Sequence, residues 1–172
     1  RPALLKESIY GLTEWARDAI RSARLVANPG CYPTAALLGL APLAEQGLLE
    51  KDGLIVDAKS GVTGAGRSLK EELLFSEVNE DLRAYRVNSH QHIPEMEQEL
   101  SRLSHRAVRM VFVPHLIPMN RGLYATIYAR LTKGLTEAEV RSIYRGAYKG
   151  EPFVGVPPEG TWPQVKSVEG SN

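Results

Sequence analysis

The pattern of apolar and polar residues along this chain changes period several times, which predicts a mixture of helices and strands. Apolar side chains at helical spacing indicate helices, and β-branched runs bounded by glycine or proline indicate strands. The predicted helices are residues 8–22 with Thr13 as N-cap, a helix that follows Cys31 to about Gly47, and residues 70–82, 94–103 and 136–148. The predicted strands are residues 24–27, 54–58, 85–87, 108–113 ended by Pro114, and 124–131.

Residues 124–131 form the longest predicted strand. The even-numbered positions carry tyrosine, threonine and arginine, whereas the odd-numbered positions, from Ala125 to Leu131, are apolar. One apolar face opposite a mixed, tyrosine-bearing face indicates a sheet with helices on one side and a surface suited to an interface. Because strands and helices do not alternate strictly, we expect an α+β fold with a largely antiparallel sheet and helices on one face. The sequence TEAE at residues 136–139 is a capping box that opens the last predicted helix.

Composition limits the class of protein. The 172 residues suffice for one domain with a good core, and contents of 43% hydrophobic and 24% charged residues are ordinary for a soluble globular protein. A net charge of +1 gives no reason to expect nucleic acid or a membrane as partner, and no apolar run reaches the length of a membrane span. One cysteine cannot build a disulfide framework, which favours a reducing compartment and a cytoplasmic location. The chain starts at Arg1 rather than at Met, so residues 1–172 are interpreted as one domain of a longer protein.

The single cysteine lies in the most informative stretch, NPGCYPT at residues 28–34. Pro29 and Gly30 force a tight turn, and Pro33 suits the first helical position, so Cys31 lies at or just before a helix N-terminus. Unpaired N–H groups and the positive end of the helix dipole favour a thiolate there, and the thiolate is the nucleophilic form of cysteine. The alternative is a small buried apolar residue, which most lone cysteines are.

A glycine-rich loop, SGVTGAGR, spans residues 60–67. Its spacing matches neither the G-x-G-x-x-G of dinucleotide-binding turns nor a Walker loop, which ends in Gly-Lys-Ser/Thr. Two interpretations stay open: the loop exposes backbone N–H groups to an anion, with Arg67 adding charge, or it is an ordinary flexible connection.

Two further segments carry histidines. In HQHIPE at residues 90–95, the i, i+2 spacing is unconvincing for metal ligands, whereas His90 or His92 could act as a general acid or base. The alternative for either residue is a capping or exposed histidine. In PHLIPMNRG at residues 114–122, two prolines and a glycine hold His115 and Arg121 on a rigid loop, where binding residues are common; a purely structural connection is the alternative.

These segments occur together, in this order, in one enzyme family. The motifs NPGCYPT, SGVTGAGR, HQHIPE and FVPHLIPMNRG, with YGL at residues 10–12 and EPFV at residues 151–154, closely resemble N-acetyl-gamma-glutamyl-phosphate reductase over essentially the whole chain. The resemblance implies the catalytic and dimerisation domain of that enzyme, with the fold of the C-terminal domain of glyceraldehyde-3-phosphate dehydrogenase. It also implies that a Rossmann domain for NADPH precedes Arg1 and that a final helix follows Asn172.

The resemblance further implies that an acyl phosphate is reduced to an aldehyde with NADPH, as a step of arginine biosynthesis. The Cys31 thiolate would attack the acyl carbon, phosphate would leave, and hydride would reduce the resulting thioester. We prefer His92 to His90 as the acid/base because Ile93 and Pro94 restrain the His92 backbone at the mouth of a helix. The other implied roles are substrate contacts from Arg67, His90, His115 and Arg121, cofactor contacts from Ser60 and Gly61, no metal, and a homodimer or homotetramer.

Two positions depart from the family pattern. Gln91 stands where the family usually has arginine between the paired histidines, and Gly155 follows EPFV where arginine is expected. Each change removes a cation that could contact phosphate or carboxylate. Two other function classes stay open: a cysteine hydrolase that needs no cofactor, and a non-enzymatic dimerisation module in which Cys31 is buried and inert. A dinucleotide-binding turn upstream of Arg1 would separate the reductase from the hydrolase, and thiol reactivity in the native protein would exclude the inert module.

Overall fold

A computed structural model describes residues 2–168 of the chain. In this part the helices are α1 (Pro2–Leu5), α2 (Thr13–Ser22), α3 (Cys31–Glu45), α4 (Phe75–Val78), α5 (Ile93–Ser104) and α6 (Glu137–Ala147). The strands are β1 (Ile9–Tyr10), β2 (Val26–Ala27), β3 (Leu54–Ser60), β4 (Arg83–Ala84), β5 (Met110–Leu116) and β6 (Leu123–Tyr128). Short 3-10 turns lie at Val62–Ala65, Glu71–Leu73 and Val165–Val168.

A four-stranded sheet with strand order β4-β5-β3-β6 forms the centre of the fold. β3 is antiparallel to β6 and parallel to β5, and β5 is antiparallel to β4. Two of the three pairings are therefore antiparallel, which confirms the predicted α+β class and largely antiparallel sheet, although the central pair is parallel. A parallel pair needs a long crossover connection, and residues 61–109, which include α5, supply it.

β5 continues through Pro114, where the sequence predicted the end of the strand. The N–H and C=O of one residue point to the same side of a strand, and the Pro114 carbonyl accepts a hydrogen bond of 3.0 Å from the Tyr85 N–H. The missing N–H of Pro114 therefore faces the side of β4, which has already ended at Ala84. The ladder between β5 and β3 loses no hydrogen bond, so the strand tolerates the proline.

Helices α3 and α5 cover one face of the sheet, as predicted. α3 is apolar around most of its circumference because it packs against β6, α5 and α6 at once. It ends at Glu45 rather than at the predicted Gly47, and Gly47 takes a left-handed φ of 65° that suits a helix end. Burial of each large core side chain contributes roughly 1.5–3 kcal/mol, and the fully buried ones include Leu37, Leu40, Val56, Leu100 and Phe112.

The opposite face of the sheet is partly exposed within residues 2–168. We call it the open face, and by strand alternation it carries Ile55, Asp57, Lys59, Val111, Val113, His115, Tyr124, Thr126 and Tyr128. Several of its large apolar side chains are between 36% and 58% exposed. The predicted alternation of the last strand is thus confirmed, but that strand ends at Tyr128, and Leu131 forms only an isolated bridge with Leu49.

The N-terminal residues form a separate small sheet in which β1 and β2 pair in parallel on either side of α2. The helix predicted for residues 8–22 is wrong at residues 9–10, because these form β1. The Ile9 N–H donates a hydrogen bond of 3.0 Å to the Leu25 carbonyl, just before β2. α2 begins at Thr13 with Leu12 as N-cap, so Thr13 is not the cap. The strand predicted at residues 24–27 is confirmed only for β2.

The segment between β3 and α5 differs most from its prediction. Residues 70–82 form only a 3-10 turn and α4 instead of one helix. Leu69 and Phe75 are 89% and 82% exposed and Val78 is the buried residue of α4, so the segment buries too little apolar surface to stabilise a longer helix. The extended run predicted at residues 85–87 lies earlier, at β4, because Arg86 and Asn88 adopt left-handed φ angles of 46° and 50°.

The last two helices agree with their predictions. α5 covers the predicted residues 94–103, with Pro94 in its first turn. α6 opens with the predicted capping box: the Glu139 N–H donates to the Thr136 hydroxyl, and the Thr136 N–H donates to the Glu139 carboxylate at 2.7 Å. Such a cap is worth about 1 kcal/mol. Residues 152–163 are loop and turn, as predicted.

Candidate active site

Cys31 is the first residue of α3, as the sequence predicted. Gly30 is the N-cap with an extended backbone, and the N–H and hydroxyl of Thr34 both donate to the Gly30 carbonyl at 2.9 Å. Pro33 occupies the third helical position rather than the first, where its missing N–H is still one that a helix leaves unpaired. The thiol residue is exposed, so the alternative of a small buried apolar residue is wrong.

A cavity of about 470 Å³ lies beside Cys31 at the C-terminal end of β3, and its volume is within the range of small-molecule sites. The cavity is lined by residues from the start of α3, the end of β3 and the loops on either side of β4. Five of the eight predicted site residues line it, namely Cys31, Ser60, Gly61, His90 and His92.

His90 and His92 lie side by side, with ring centroids 4.7 Å apart. The His92 N–H donates to Nδ1 of His90 at 3.1 Å, so the neutral His90 ring carries its proton on Nε2. Burial lowers the pKa of His90, and the positive charges of His92 and Arg86 act in the same direction. Burial also lowers the pKa of His92, but the Glu95 carboxylate opposes that effect. The pKa values of both rings are therefore lowered, but for His92 a nearby carboxylate opposes the lowering.

The cysteine turn and the His92 ring are in close contact through Gly30. A Cβ atom at Gly30 would lie 2.5 Å from Nε2 of His92, so only glycine fits at this position. The Gly30 N–H donates to the Glu95 carboxylate at 2.9 Å, which connects the turn to the first turn of α5. These contacts bring the residue before the thiol against the imidazole.

Tyr32 and Tyr85 form a wall of the cavity that sequence reasoning missed. Their hydroxyl groups are 2.8 Å apart, and their rings stand edge-on to His90 with centroids 5.5 and 5.8 Å from it. Burial raises the pKa of both phenols, so both stay neutral near pH 7. The available signal was weak: Tyr32 adjoins Cys31, and Tyr85 precedes the histidine pair.

The glycine-rich loop does not present its N–H groups to the cavity. The N–H groups of residues 61–63 donate to carbonyl groups of residues 119–122 at 2.8 to 3.1 Å, and those of Gly64 and Gly66 donate within the loop. A Cβ at Gly61 would lie 2.8 Å from the Met119 carbonyl oxygen, so the glycine serves a close approach of two loops. The interpretation that these N–H groups bind an anion is wrong, because other carbonyl groups already use them.

Cationic side chains reach the cavity from a different segment, which sequence reasoning also missed. Lys70, Arg83 and Arg86 line it, together with one carboxylate, that of Glu72. Arg83 pairs with Asp81 at 3.5 Å. An excess of positive charge favours an anionic ligand. The signal was hidden because the sequence predicted a helix over residues 70–82 and a strand over residues 85–87, and only the folded loops bring these cations to the cavity.

Arg67, His115 and Arg121 do not line the cavity. Arg67 and Arg121 are exposed on the loops that follow β3 and β5. His115 lies on the open face, with Nδ1 3.1 Å from the carboxylate of Asp57, which pairs with Lys59 at 2.5 Å. The substrate contacts implied for these three residues stay predictions.

Two further properties concern residues 2–168. No helix in this range is long and apolar enough to cross a membrane. The same residues contain no group of three or more His, Cys, Asp or Glu side chains arranged to hold a metal ion.

Known proteins resemble this chain closely in sequence. Residues 31–172 match the family described as semialdehyde dehydrogenase, dimerisation domain. The chain is 52% identical to an N-acetyl-gamma-glutamyl-phosphate reductase of Heliobacterium modesticaldum, over 99% of this chain and 50% of that protein. It is 51% identical to the reductase of the same name from Geobacillus stearothermophilus, over 99% of this chain and 49% of that protein. The resemblance that the motifs indicated is confirmed, and the chain spans about half the length of the curated relatives it matches.

Solved structures show the same fold at low sequence identity. Aspartate semialdehyde dehydrogenase II from Vibrio cholerae aligns with a TM-score of 0.70 at 13% identity, over 96% of this chain and 56% of that chain. A probable aspartate-semialdehyde dehydrogenase from Pseudomonas aeruginosa aligns with a TM-score of 0.61 at 14% identity, over 92% of this chain and 53% of that chain. At such identities the likeness establishes the fold and nothing more.

Proposed function

Because this chain belongs to the family of semialdehyde dehydrogenase dimerisation domains, we propose that it is the catalytic half of an N-acetyl-gamma-glutamyl-phosphate reductase of arginine biosynthesis. The observation that carries the proposal is the cavity on which Cys31, His90 and His92 meet. An identity of 52% with such a reductase over 99% of the chain supports the substrate, N-acetyl-gamma-glutamyl phosphate. The product is the corresponding semialdehyde.

Cys31 supplies the nucleophile. Its thiolate forms a bond to the acyl carbon, and the bond from that carbon to the phosphate oxygen breaks, so that phosphate leaves with the electron pair and a thioester remains. The N-terminus of α3 stabilises the negative charge on sulfur and on the acyl oxygen. Lys70 and Arg86, on the cavity wall, attract the anionic substrate.

The two histidines take different tasks. The aldehyde is released when the thioester is reduced and the Cys31 thiolate departs. The overall reaction takes up one proton, which ends on the released phosphate. We assign delivery of that proton to His92, because Glu95 favours its protonated form. His90 presents its Nε2–H as a neutral hydrogen-bond donor to the substrate, since its Nδ1 is occupied by the His92 N–H.

When bound, NADPH would supply the hydride. The residues of this chain fit only the nicotinamide end of that cofactor. Ser60 and Gly61 line the cavity and would contact the nicotinamide end. The chain has no G-x-G-x-x-G turn for the dinucleotide phosphates. We therefore assign residues 1–172 to the catalytic and dimerisation part, and most of the cofactor contacts to a Rossmann domain that precedes it. A final helix after residue 172 would complete the fold, and the single cysteine suits a cytoplasmic enzyme.

The open face is our candidate for the dimer interface. The matching family is described as a dimerisation domain. Tyr124, Tyr128 and Val111 expose aromatic and aliphatic surface on a regular sheet, and tyrosine is enriched at protein interfaces. A homodimer through this face, or a homotetramer of two such dimers, would cover it.

The proposed function is tested with the full-length protein that contains this chain. Cys31→Ser should lower kcat for NADPH-dependent reduction of the acyl phosphate by about 10³-fold or more, with an unchanged circular-dichroism spectrum. Without NADPH, mass spectrometry of the wild type should find the acyl group on Cys31. Fast release of the free acid without NADPH would indicate a cysteine hydrolase instead of a reductase. A native thiol that reacts with no alkylating agent would indicate the non-enzymatic dimerisation module.

A further inference from the structure

We propose that Glu95 is a positioning residue for the reaction, whose carboxylate holds the cysteine turn against the ring of the acid/base histidine. The inference rests on the proposed function. Glu95 does not line the cavity, and it acts through Gly30 and His92 rather than on the substrate.

One oxygen atom of Glu95 joins three segments of the chain. Oε1 accepts a hydrogen bond of 2.9 Å from the Gly30 N–H and one of 2.8 Å from the Tyr10 hydroxyl. Tyr10 ends β1, Gly30 is the N-cap of α3, and Glu95 lies in the first turn of α5, three residues after His92. Burial and the Glu95 carboxylate raise the pKa of Tyr10, so this phenol stays a donor.

The hydrogen bond from Gly30 acts at the point where the turn meets the imidazole. A Cβ atom at Gly30 would be 2.5 Å from Nε2 of His92, so a small movement of the turn would shift Cys31 relative to the ring. Without Glu95, the half-buried Gly30 N–H would lack its acceptor, and the turn would have to move to find another. Catalysis by oriented groups is sensitive to such displacements.

The charge of Glu95 has a second effect, on His92. The titratable groups that face this ring are Glu95 on its own helix, His90 in the preceding loop, Tyr32 on α3 and, across the Gly30 contact, Cys31. Glu95 is the carboxylate in this group. Burial disfavours the imidazolium that must deliver the proton, and a nearby carboxylate favours it.

Four variants of the full-length enzyme separate the hydrogen bond from the charge. Glu95→Gln keeps an acceptor oxygen and removes the charge, and Glu95→Ala removes both. Tyr10→Phe keeps the carboxylate and removes one of its donors. Glu99→Gln is the matched control, because Glu99 is a buried carboxylate of the same helix that accepts a hydrogen bond of 2.9 Å from Arg102 and reaches Tyr10 only through space.

The expected readout is the pH profile of kcat/KM together with the NMR titration of His92. Glu95→Gln should move the alkaline limb to lower pH, so that kcat/KM falls about threefold or more near pH 8 and less near pH 6, and should lower the titration midpoint of His92. Glu95→Ala should lower kcat about tenfold across the pH range as well. Tyr10→Phe and Glu99→Gln should leave the alkaline limb in its wild-type position.

A wild-type alkaline limb and a wild-type His92 titration in Glu95→Gln would overturn the proposal, and so would an equal loss of activity in Glu99→Gln. If Glu95→Ala does not fold, Glu95→Gln and Tyr10→Phe still decide the question. If the wild type has no reductase activity, the proposed function fails by itself, and the His92 titration still tests whether Glu95 acts on this ring.

Discussion

His92 and His115 show how two regions of the molecule give the same residue type different surroundings. His92 lies at the cavity beyond the end of β3, where burial lowers its pKa and its neighbours are Gly30, Glu95 and a second histidine. His115 lies on the open face, where Nδ1 is 3.1 Å from the Asp57 carboxylate. The sequence predicted both as site residues, and only their places in the fold, the start of α5 and the open face of β5, distinguish them.

The two regions also differ in how the backbone is built. The cavity is lined by loops and helix starts, and one of its arginines, Arg86, has a left-handed φ of 46°. The open face consists of regular strands whose alternate side chains are partly or fully exposed within residues 2–168. Irregular backbone can direct several polar groups to one point, whereas a regular sheet presents a broad surface that suits a protein partner.

The largest expected effect tests whether the chemistry belongs to the cavity. In the full-length enzyme, His92→Asn should lower kcat about 10²-fold or more, the usual worth of a positioned acid/base, with a smaller change in KM. His115→Asn tests the substrate contact implied for a ring that does not line the cavity, and a kcat and KM close to wild type would exclude that contact. A near-normal His92→Asn with an inactive His90→Asn would move the acid/base two residues upstream.

An intermediate effect is expected on assembly. Val111→Asp puts an unpaired carboxylate on the open face and should weaken self-association about tenfold or more, because an interface must desolvate that charge. Leu69→Asp is the matched control, since Leu69 is also an exposed aliphatic residue but lies outside the open face. Sedimentation velocity checks both variants. A monomeric wild type, or equal dissociation by Leu69→Asp, would contradict the assignment of this face.

The smallest effect concerns the stability of the cavity region against acid. The pKa of His90 is lower in the folded protein than in the unfolded chain, so the unfolded chain binds more protons and stability should fall as pH drops below about 6.5. His90→Asn should reduce that pH dependence by about 1 kcal/mol or less, as measured by urea unfolding at several pH values. His115→Gln serves as the open-face comparison, and an unchanged pH dependence in His90→Asn would show that other groups cause the acid sensitivity.

Local signals in the sequence were enough for several parts of this protein. The proline and glycine around Cys31 determined a helix start, the TEAE sequence determined the capping box of α6, and the alternation after Leu123 determined which face of β6 is buried. Each of these depends on residues within a few positions of one another, so backbone sterics and short-range hydrogen bonds decide it. The combined motifs likewise identified the family correctly.

Other features depend on residues that are distant in the sequence, and only the tertiary structure decided them. The early end of β4 at Ala84 allowed Pro114 to remain inside β5, and the carbonyl groups of residues 119–122 used the N–H groups of the glycine-rich loop. The cations at Lys70 and Arg86 became cavity residues only because their segment folds as a 3-10 turn, a short helix and a short strand instead of one long helix. Long-range hydrogen bonds and burial override local propensity at these positions, and no window of neighbouring residues contains the partner that decides them.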